Sequence, residues 1–266
     1  MSRGVLLFAH NNENINYGLM ALAQARRINR FLQIPTSLVT DSQTAASLTD
    51  LVPNWQDSFD QVILQESTAV QTKRYVDQQL TFHNLDRVDA YDLSPYSDTV
   101  VIDTDVIIQT DYLNRIWAMP EDLVVCDRST NLWYQTDPEF VKISDRSVKF
   151  YWATVFRFRK TQSTKMFFDY CRHLKQHYSW IRFVHELMSG PVRNDFIWSI
   201  ALHDLNYPAA VIPYNLMHSN TQDKIVKVAN SAVVMLTQNG LIKVTGDLHV
   251  FNKTDLMTHV KEELGL

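Results

Sequence analysis

The stretch that decides the fold is Thr99-Val100-Val101-Ile102-Asp103-Thr104-Asp105-Val106-Ile107 (TVVIDTDVI). Its first four residues are apolar or β-branched without a break, the pattern of a strand covered on both faces inside a parallel sheet. Two carboxylates follow at once. Side chains two apart on an extended chain project to the same side, so Asp103 and Asp105 can face one cation. The carboxyl edge of a buried strand is also where open α/β sheets hold their ligands. The plain alternative is a solvated strand end.

Working outward, similar short apolar runs stand at Val5–Ala9 (VLLFA), Ser37–Thr40 (SLVT), Gln61–Leu64 (QVIL) and Leu123–Cys126 (LVVC). Between the first two, Tyr17, Ala21, Ala25, Ile28 and Leu32 recur at helical spacing, with Gln24, Arg26, Arg27, Asn29 and Arg30 on the other face. Pro35 closes that helix. Residues 71–92 have a mixed helical character that ends at Ser94-Pro95. Strands alternating with helices predict an α/β fold whose mostly parallel sheet is covered by helices. The second half is less regular. It predicts a strand at Thr154–Arg159, a helix at Thr164–Tyr178, and a helix capped by Asn194-Asp195 that runs to Leu205. Short strands are expected at Ala210–Pro213, Ala232–Thr237 and Leu241–Val244. With no repeat, linker or low-complexity stretch, one domain over residues 1–266 is expected.

Composition narrows the function. Of 266 residues, 45% are hydrophobic and 20% charged, which suits a globular chain and not a disordered one. A net charge of −4 supplies no overall cationic field for nucleic acid. Cys126 and Cys171 make no disulfide framework and fit a reducing compartment. The six glycines form neither a dinucleotide-binding fingerprint nor a P-loop. Bound phosphates must then be held otherwise, and a carboxylate pair with a hard divalent ion does this, because the ion keeps positions open for diphosphate oxygens. No apolar run reaches the roughly 18 residues of a membrane span, and Val5–Ala9 is too short for a signal peptide, so a cytoplasmic location is expected.

Four stretches, Val5–Asn11 (VLLFAHN), Ser37–Asp41 (SLVTD), Tyr91–Tyr96 (YDLSPY) and Thr99–Ile107, together resemble the GT-A-type glycosyltransferases, tailed-phage members included. These enzymes use nucleotide sugars and an Asp-x-Asp metal motif. The resemblance covers residues 3 to 127 and fades beyond. It implies a GT-A-like fold with a Rossmann-like nucleotide-sugar-binding half (1–127) and a mixed acceptor-binding half (128–266). It further implies Mn²⁺ or Mg²⁺, a nucleotide-sugar donor that is most commonly a UDP-sugar, and a hydroxyl acceptor. By the same resemblance Asp105 binds the metal, and Asp103 touches metal or ribose. Ala9, Asn11, Tyr17 and Asp41 lie near the base, and Arg87 near the donor phosphates, with Lys73 and Arg74 as competitors. Asn11 equally fits a turn and Tyr17 a buried helical stripe. A third metal ligand is His249 or His218; the bracketing Gly246 and Lys253 favour His249, and Lys253 then meets the leaving diphosphate. Asp195 stands where members contact the acceptor or place a general base, though a helix cap explains it too.

Residues 157–182 interleave Arg157, Arg159, Lys160, Lys165, Arg172, Lys175 and Arg182 with aromatic residues, against Asp169 alone. That spacing suits phosphate and base contacts, and makes a hydroxymethylated pyrimidine in phage DNA a candidate acceptor beside glycans and proteins. An amphipathic helix with solvated cations is the alternative. Two other functions compete. A haloacid-dehalogenase-type phosphotransferase shares Asp-x-Asp but needs it on the first strand. A non-catalytic module would bind the nucleotide sugar or a glycan without turnover.

Overall fold

The computed structural model describes residues 2–66, 87–144, 148–187, 192–212, 215–229 and 231–266 in full, and residues 71–75, 78–82 and 84–86 by their backbone alone. In chain order the elements are β1 (Arg3–Ala9), α1 (Tyr17–Phe31), β2 (Thr36–Thr40), α2 (Ser42–Leu51), β3 (Gln61–Leu64), β4 (Gln71–Tyr75), β5 (Gln78–Phe82), α3 (Ala90–Leu93), β6 (Asp98–Ile102), β7 (Val106–Ile107), β8 (Leu123–Cys126) and β9 (Ser129–Asn131). There follow β10 (Trp152–Arg159), α4 (Gln162–Gln176), α5 (Tyr178–Val184), α6 (Asn194–Asp204) and β11 (Ala210–Val211). The chain closes with β12 (Leu216–His218), β13 (Lys224–Ala229), β14 (Ala232–Thr237), β15 (Gly240–Val244), β16 (Leu248–His249) and α7 (Lys253–Leu264).

Seven strands form the central sheet in the order β11-β8-β10-β6-β1-β2-β3. All run parallel except β10, which is antiparallel to both neighbours. The mixed α/β class and mostly parallel sheet expected from the apolar runs are therefore observed. Strand β6 lies between β1 and β10 and is buried along its whole length. Its side chains alternate: Val100 and Ile102 join the core under α1 and α7, whereas Val101 joins the opposite core with Phe156, Phe168 and Trp198 against α4 and α6. Both faces are thus apolar, which is why this strand reads as a continuous run.

Two local devices fix β6 in the sheet. Asp98 and Arg157 form a two-pronged ion pair with no side-chain exposure, Nε to Oδ1 at 2.6 Å and Nη2 to Oδ2 at 2.8 Å. Arg157 also donates to the carbonyls of Met119 and Glu121, so the buried charge is satisfied on every side. Tyr96 lies flat against Gly4, where a Cβ would come within 2.5 Å of its ring atoms, and its hydroxyl meets Ser37 Oγ at 2.7 Å.

Two expectations are corrected. Residues 71–75 and 78–82 pair as antiparallel strands rather than forming helix, with Gln71 opposite Phe82, and among the described residues of 71–92 helix appears only as a 3₁₀ turn at Asn84–Asp89 followed by α3. Thr72, Tyr75, Thr81 and Phe82 suit strands, and mutual pairing satisfies a backbone whose side-chain pattern leaves helix and strand open. The basic and aromatic stretch 157–182 is not a free cationic face. Arg157 is buried, Arg159 donates to the carbonyls of Pro120 and Met119, Lys160 to that of Ser94, and Lys165 pairs with Asp169. Arg172 meets Asp89, Asp92 and Asp169. Phe156, Phe158, Phe167 and Phe168 are core residues. Apart from Asp169, the acids that neutralise this stretch, Asp98, Asp89 and Asp92, come from other parts of the chain, so the local sequence could not show them. Among the described residues no helix is long and apolar enough to cross a membrane.

Candidate functional site

After Ile102 the chain turns tightly before β7. Asp103 N donates to Thr154 O (2.9 Å) and Val106 N to Asp103 O (3.2 Å), which pins the turn to β10. A second sheet, β7-β16-β12-β9, continues from this edge. In it Val106 is paired with His249, His249 with His218, and His218 with Asn131. Val250 N donates to Asp105 O (2.9 Å), so the strand carrying His249 is fastened to the residue it must face. Asp247 fastens it again: Oδ1 accepts from Gln109 N, Thr110 N and Thr110 Oγ1 at 2.9–3.0 Å.

The result is a compact trio. One potential ligand atom from each of Asp103, Asp105 and His249 lies within 4.8 Å of the other two. Asp105 and His249 are buried, and Asp103 is half-buried. Two cations complete the group. Arg87 pairs through Nη2 with Asp103 Oδ1 while Nη1 donates to Ala153 O. Lys253, the first residue of α7, places Nζ 2.9 Å from Asp105 Oδ2 and 5.4 Å from the centre of the Tyr17 ring.

This setting drives the two carboxyls apart. Burial raises that of Asp103, and the opposing charge of Arg87 only partly offsets it. Burial also acts to raise that of Asp105, but Lys253 and His249 outweigh it and hold the group well below the usual carboxylate range. Lys253 answers in kind: burial acts to lower it, and Asp105 more than reverses this. His249 Nε2 is 3.4 Å from Asp105 Oδ1, and its buried Nδ1 has no hydrogen-bond partner among the described residues. Its ring is braced edge-on by Trp152 and Phe251. Two carboxylates and an imidazole with an unused nitrogen suit a divalent ion of the Mn²⁺ or Mg²⁺ kind.

His218, the rival ligand, is one strand further away and fully engaged. Its Nδ1 meets Ser129 Oγ at 2.7 Å, its Nε2 meets Asp137 Oδ2 at 3.0 Å, and burial lowers its pKa. Its ring stacks on Phe251.

The remaining expected residues divide. Tyr17 reaches the group through Lys253. Ala9 is buried at the carboxyl end of β1, where its carbonyl accepts from Thr40 Oγ1 (2.7 Å). Asn11 ties the β1–α1 turn, accepting from Gly18 N through Oδ1 (2.9 Å). Asp41 caps α2 through Thr44 N (2.6 Å). Both side chains therefore have structural partners at the strand ends. The side chains of Lys73 and Arg74 lie outside the described residues.

Asp195 does not cap α6. The cap residue is Arg193, and Asp195 in the first turn accepts from Ala153 N (2.9 Å) and from Arg193 Nη2 (2.9 Å). Ala153 O in turn receives Arg87, so Asp195 connects to Asp103 through one residue, Ala153, and one guanidinium. Asp127 escaped sequence reading. It follows β8 as Asp103 follows β6, it is 9% exposed, and it pairs with Lys149. The strand-end rule applied to Leu123–Cys126 would have found it.

A cavity of about 470 Å³ between α1, β13 and α7, lined by Arg26, Arg27, Arg30, Lys227, Glu262 and Glu263 among others, shares no residue with this group.

No protein-family model matches this sequence, and no curated protein sequence does. Several solved structures are similar in shape. The glycosyltransferase GlyE of Streptococcus pneumoniae TIGR4 aligns with 80% of this chain and 46% of its own at 10% identity, with a TM-score of 0.49. The galactosyltransferase LgtC, solved with donor and acceptor sugar analogs, aligns over 78% and 72% at 11% identity and 0.47. Mouse xyloside xylosyltransferase 1 aligns over 79% and 85% at 10% identity and 0.49. The chain thus spans about half the length of GlyE. At these identities and scores the likeness assigns no activity to it.

Proposed function

We propose that this chain is a metal-dependent glycosyltransferase that moves a sugar from a nucleoside-diphosphate sugar to a hydroxyl group. The observation that carries this reading is the trio Asp103, Asp105 and His249, flanked by Lys253 and Arg87 at the carboxyl edge of the sheet. Asp103, Asp105 and His249 hold the divalent ion, which when bound supplies positive charge to the leaving diphosphate. Lys253 and Arg87 are the chain's own cations at the same place, and they orient and neutralise phosphate oxygens. The β1–α1 turn with Ala9, Asn11 and Tyr17, and the end of β2 at Asp41, form the wall nearest the base. The donor nucleotide assigned first is uridine diphosphate, on the resemblance of residues 3–127.

On the opposite side, Asp195 positions the acceptor hydroxyl. Its carboxylate spends one hydrogen bond on Ala153 and one on Arg193, which hold it in place and leave lone pairs for a further donor. The acceptor assigned first is a glycan or protein hydroxyl. The DNA alternative loses its main support, because the cations of 157–182 are largely engaged within the protein. A phosphotransferase of the haloacid dehalogenase type is disfavoured, since the first strand, β1, ends at Ala9-His10 with no carboxylate.

The test is Asp105→Ala. Calorimetry with UDP-sugars should show binding that requires Mn²⁺ in the wild type and is lost in the variant, with the variant's thermal transition retained. Wild-type donor and Mn²⁺ affinity in Asp105→Ala would refute the reading. Mn²⁺-dependent binding of several donors with neither hydrolysis nor transfer would identify a non-catalytic binding module instead.

A further inference from the structure

The second sheet carries more than the metal-facing histidine. Strands β9, β12 and β16 are parallel, and their carboxyl ends, Asn131, His218 and His249, stand in one row. With neighbouring strands about 4.8 Å apart, Asn131 lies two strands, or about 10 Å, from His249. The loop that leaves Asn131 therefore opens on the same edge as Lys253. Strand β9 begins three residues after β8 ends, and Trp152 of β10 packs against His218 of β12, so the loop stands on the β8 and β10 side of Asp103, away from β1 and the wall assigned to the base.

That loop, Leu132–Gln135, is clamped. Asn131 Oδ1 accepts from Trp133 N (2.9 Å) and Gln135 N (3.1 Å), Asn131 N donates to Gln135 O (2.8 Å), and Tyr134 N to Asn131 O (3.0 Å). Asn131 Nδ2 reaches Asp137 (3.2 Å), whose other oxygen holds His218. Leu132 is buried as an anchor. The clamp forces Tyr134 to φ +60°, a left-handed conformation costly for a bulky side chain. It also holds two large rings in water, Trp133 at 43% exposure and Tyr134 at 76%. Strained backbone spent to display aromatic surface beside a candidate active site is the reverse of what folding alone favours.

The surrounding charge says what the rings receive. Asp137 and Glu139 follow the loop, and the cations Arg128 and Lys149 are already paired with Asp127, which disfavours a polyanion or an anionic membrane and favours a neutral ligand whose hydroxyls donate to carboxylates. Flat aromatic faces complement the C–H faces of a sugar ring and need no charge to do so. We propose that Trp133 and Tyr134 are a stacking platform for a pyranose ring of a carbohydrate acceptor. This rests on the glycosyltransferase reading and narrows its acceptor to a glycan.

The test measures binding of lactose, maltose, methyl β-galactopyranoside and methyl α-glucopyranoside by saturation-transfer NMR, with and without Mn²⁺ and UDP. At least one saccharide should bind. Trp133→Ala and Tyr134→Gly should each weaken it about tenfold or more, while Mn²⁺–UDP affinity stays at the wild-type value. Tyr134→Gly separates ring from fold: glycine accepts φ +60°, so the melting temperature should hold or rise as saccharide binding falls. Binding of none of the four saccharides while Mn²⁺–UDP binds would overturn the platform alone. So would wild-type saccharide affinity in both variants. Saccharide binding lost in the variants of a protein that never binds Mn²⁺–UDP would uphold the platform and overturn the glycosyltransferase reading.

Discussion

Replacing Lys253 by Met should make the carboxylate group a better site for Mn²⁺ alone and a worse one for Mn²⁺ together with a nucleoside diphosphate. Asp103 and Asp105 contribute two negative charges, and Arg87 and Lys253, in contact with them, two positive ones. The group is therefore neutral if His249 is, and a divalent ion entering alone leaves a buried net charge of two. A diphosphate brings the compensating charge and gives both cations a new partner. Removing the ammonium removes its competition for Asp105. At a separation of about 4 Å and an effective dielectric near 20, one charge pair is worth ~4 kcal/mol. Discounted by half for the 31% of the Lys253 side chain in water, ~2 kcal/mol remains, about thirtyfold in dissociation constant. Methionine keeps the apolar stem, so packing on Tyr17 changes little. Electron paramagnetic resonance of free Mn²⁺ in titrations with and without UDP reads both affinities. Lys253→Met should also lose up to about 3 kcal/mol of stability, because Asp105 is left buried with less compensation, and Mn²⁺ should restore much of it. Mn²⁺ binding no tighter in the variant, or an undiminished gain on adding UDP, would refute the reasoning.

Three further outcomes follow from the packing and charge of this protein. Gly4→Ala drives a methyl into the Tyr96 ring, so displacement of the ring and of its hydrogen bond to Ser37 should cost roughly 2–4 kcal/mol in urea unfolding; an unchanged midpoint would contradict the packing. Arg157→Met leaves Asp98 buried with only the longer contacts to Arg3 and Arg159, a loss of about 3–5 kcal/mol, whereas Asp98→Asn combined with Arg157→Met should recover most of it; equal losses in both proteins would show that the pair is not the cause. Because burial holds the Asp103 carboxyl above its usual range, it takes up a proton at a pH where an ordinary aspartate stays ionised, and that proton competes with the metal. Mn²⁺ affinity should fall between about pH 7.5 and about pH 5.5, and Asp103→Asn should flatten the dependence while weakening binding; a flat wild-type profile by calorimetry would rule this out.

Legibility in the sequence followed the range of the forces. A strand covered on both faces must be apolar at every position, and a helix on a sheet must be apolar every third or fourth, so the parallel strands and α1 could be read locally. Asp103 and Asp105 could be read because they belong to the strand end itself. The pairing of 71–75 with 78–82 was not legible, since a ladder between two short segments satisfies backbone groups whatever the period of their side chains. Nor was the fate of the cations at 157–182, whose partners Asp98, Asp89 and Asp92 lie some sixty to eighty residues away in the chain.

What the sequence by itself determined is the α/β alternation and the carboxylate pair at a strand's end, both written in residues next to one another. The tertiary structure alone decided that His249 and not His218 faces that pair, that Lys253 and Arg87 neutralise it, and that Asp195 braces β10 instead of capping its helix. Each of these is a contact between segments distant in the chain, made when strand pairing and burial bring charges together that water would otherwise keep apart.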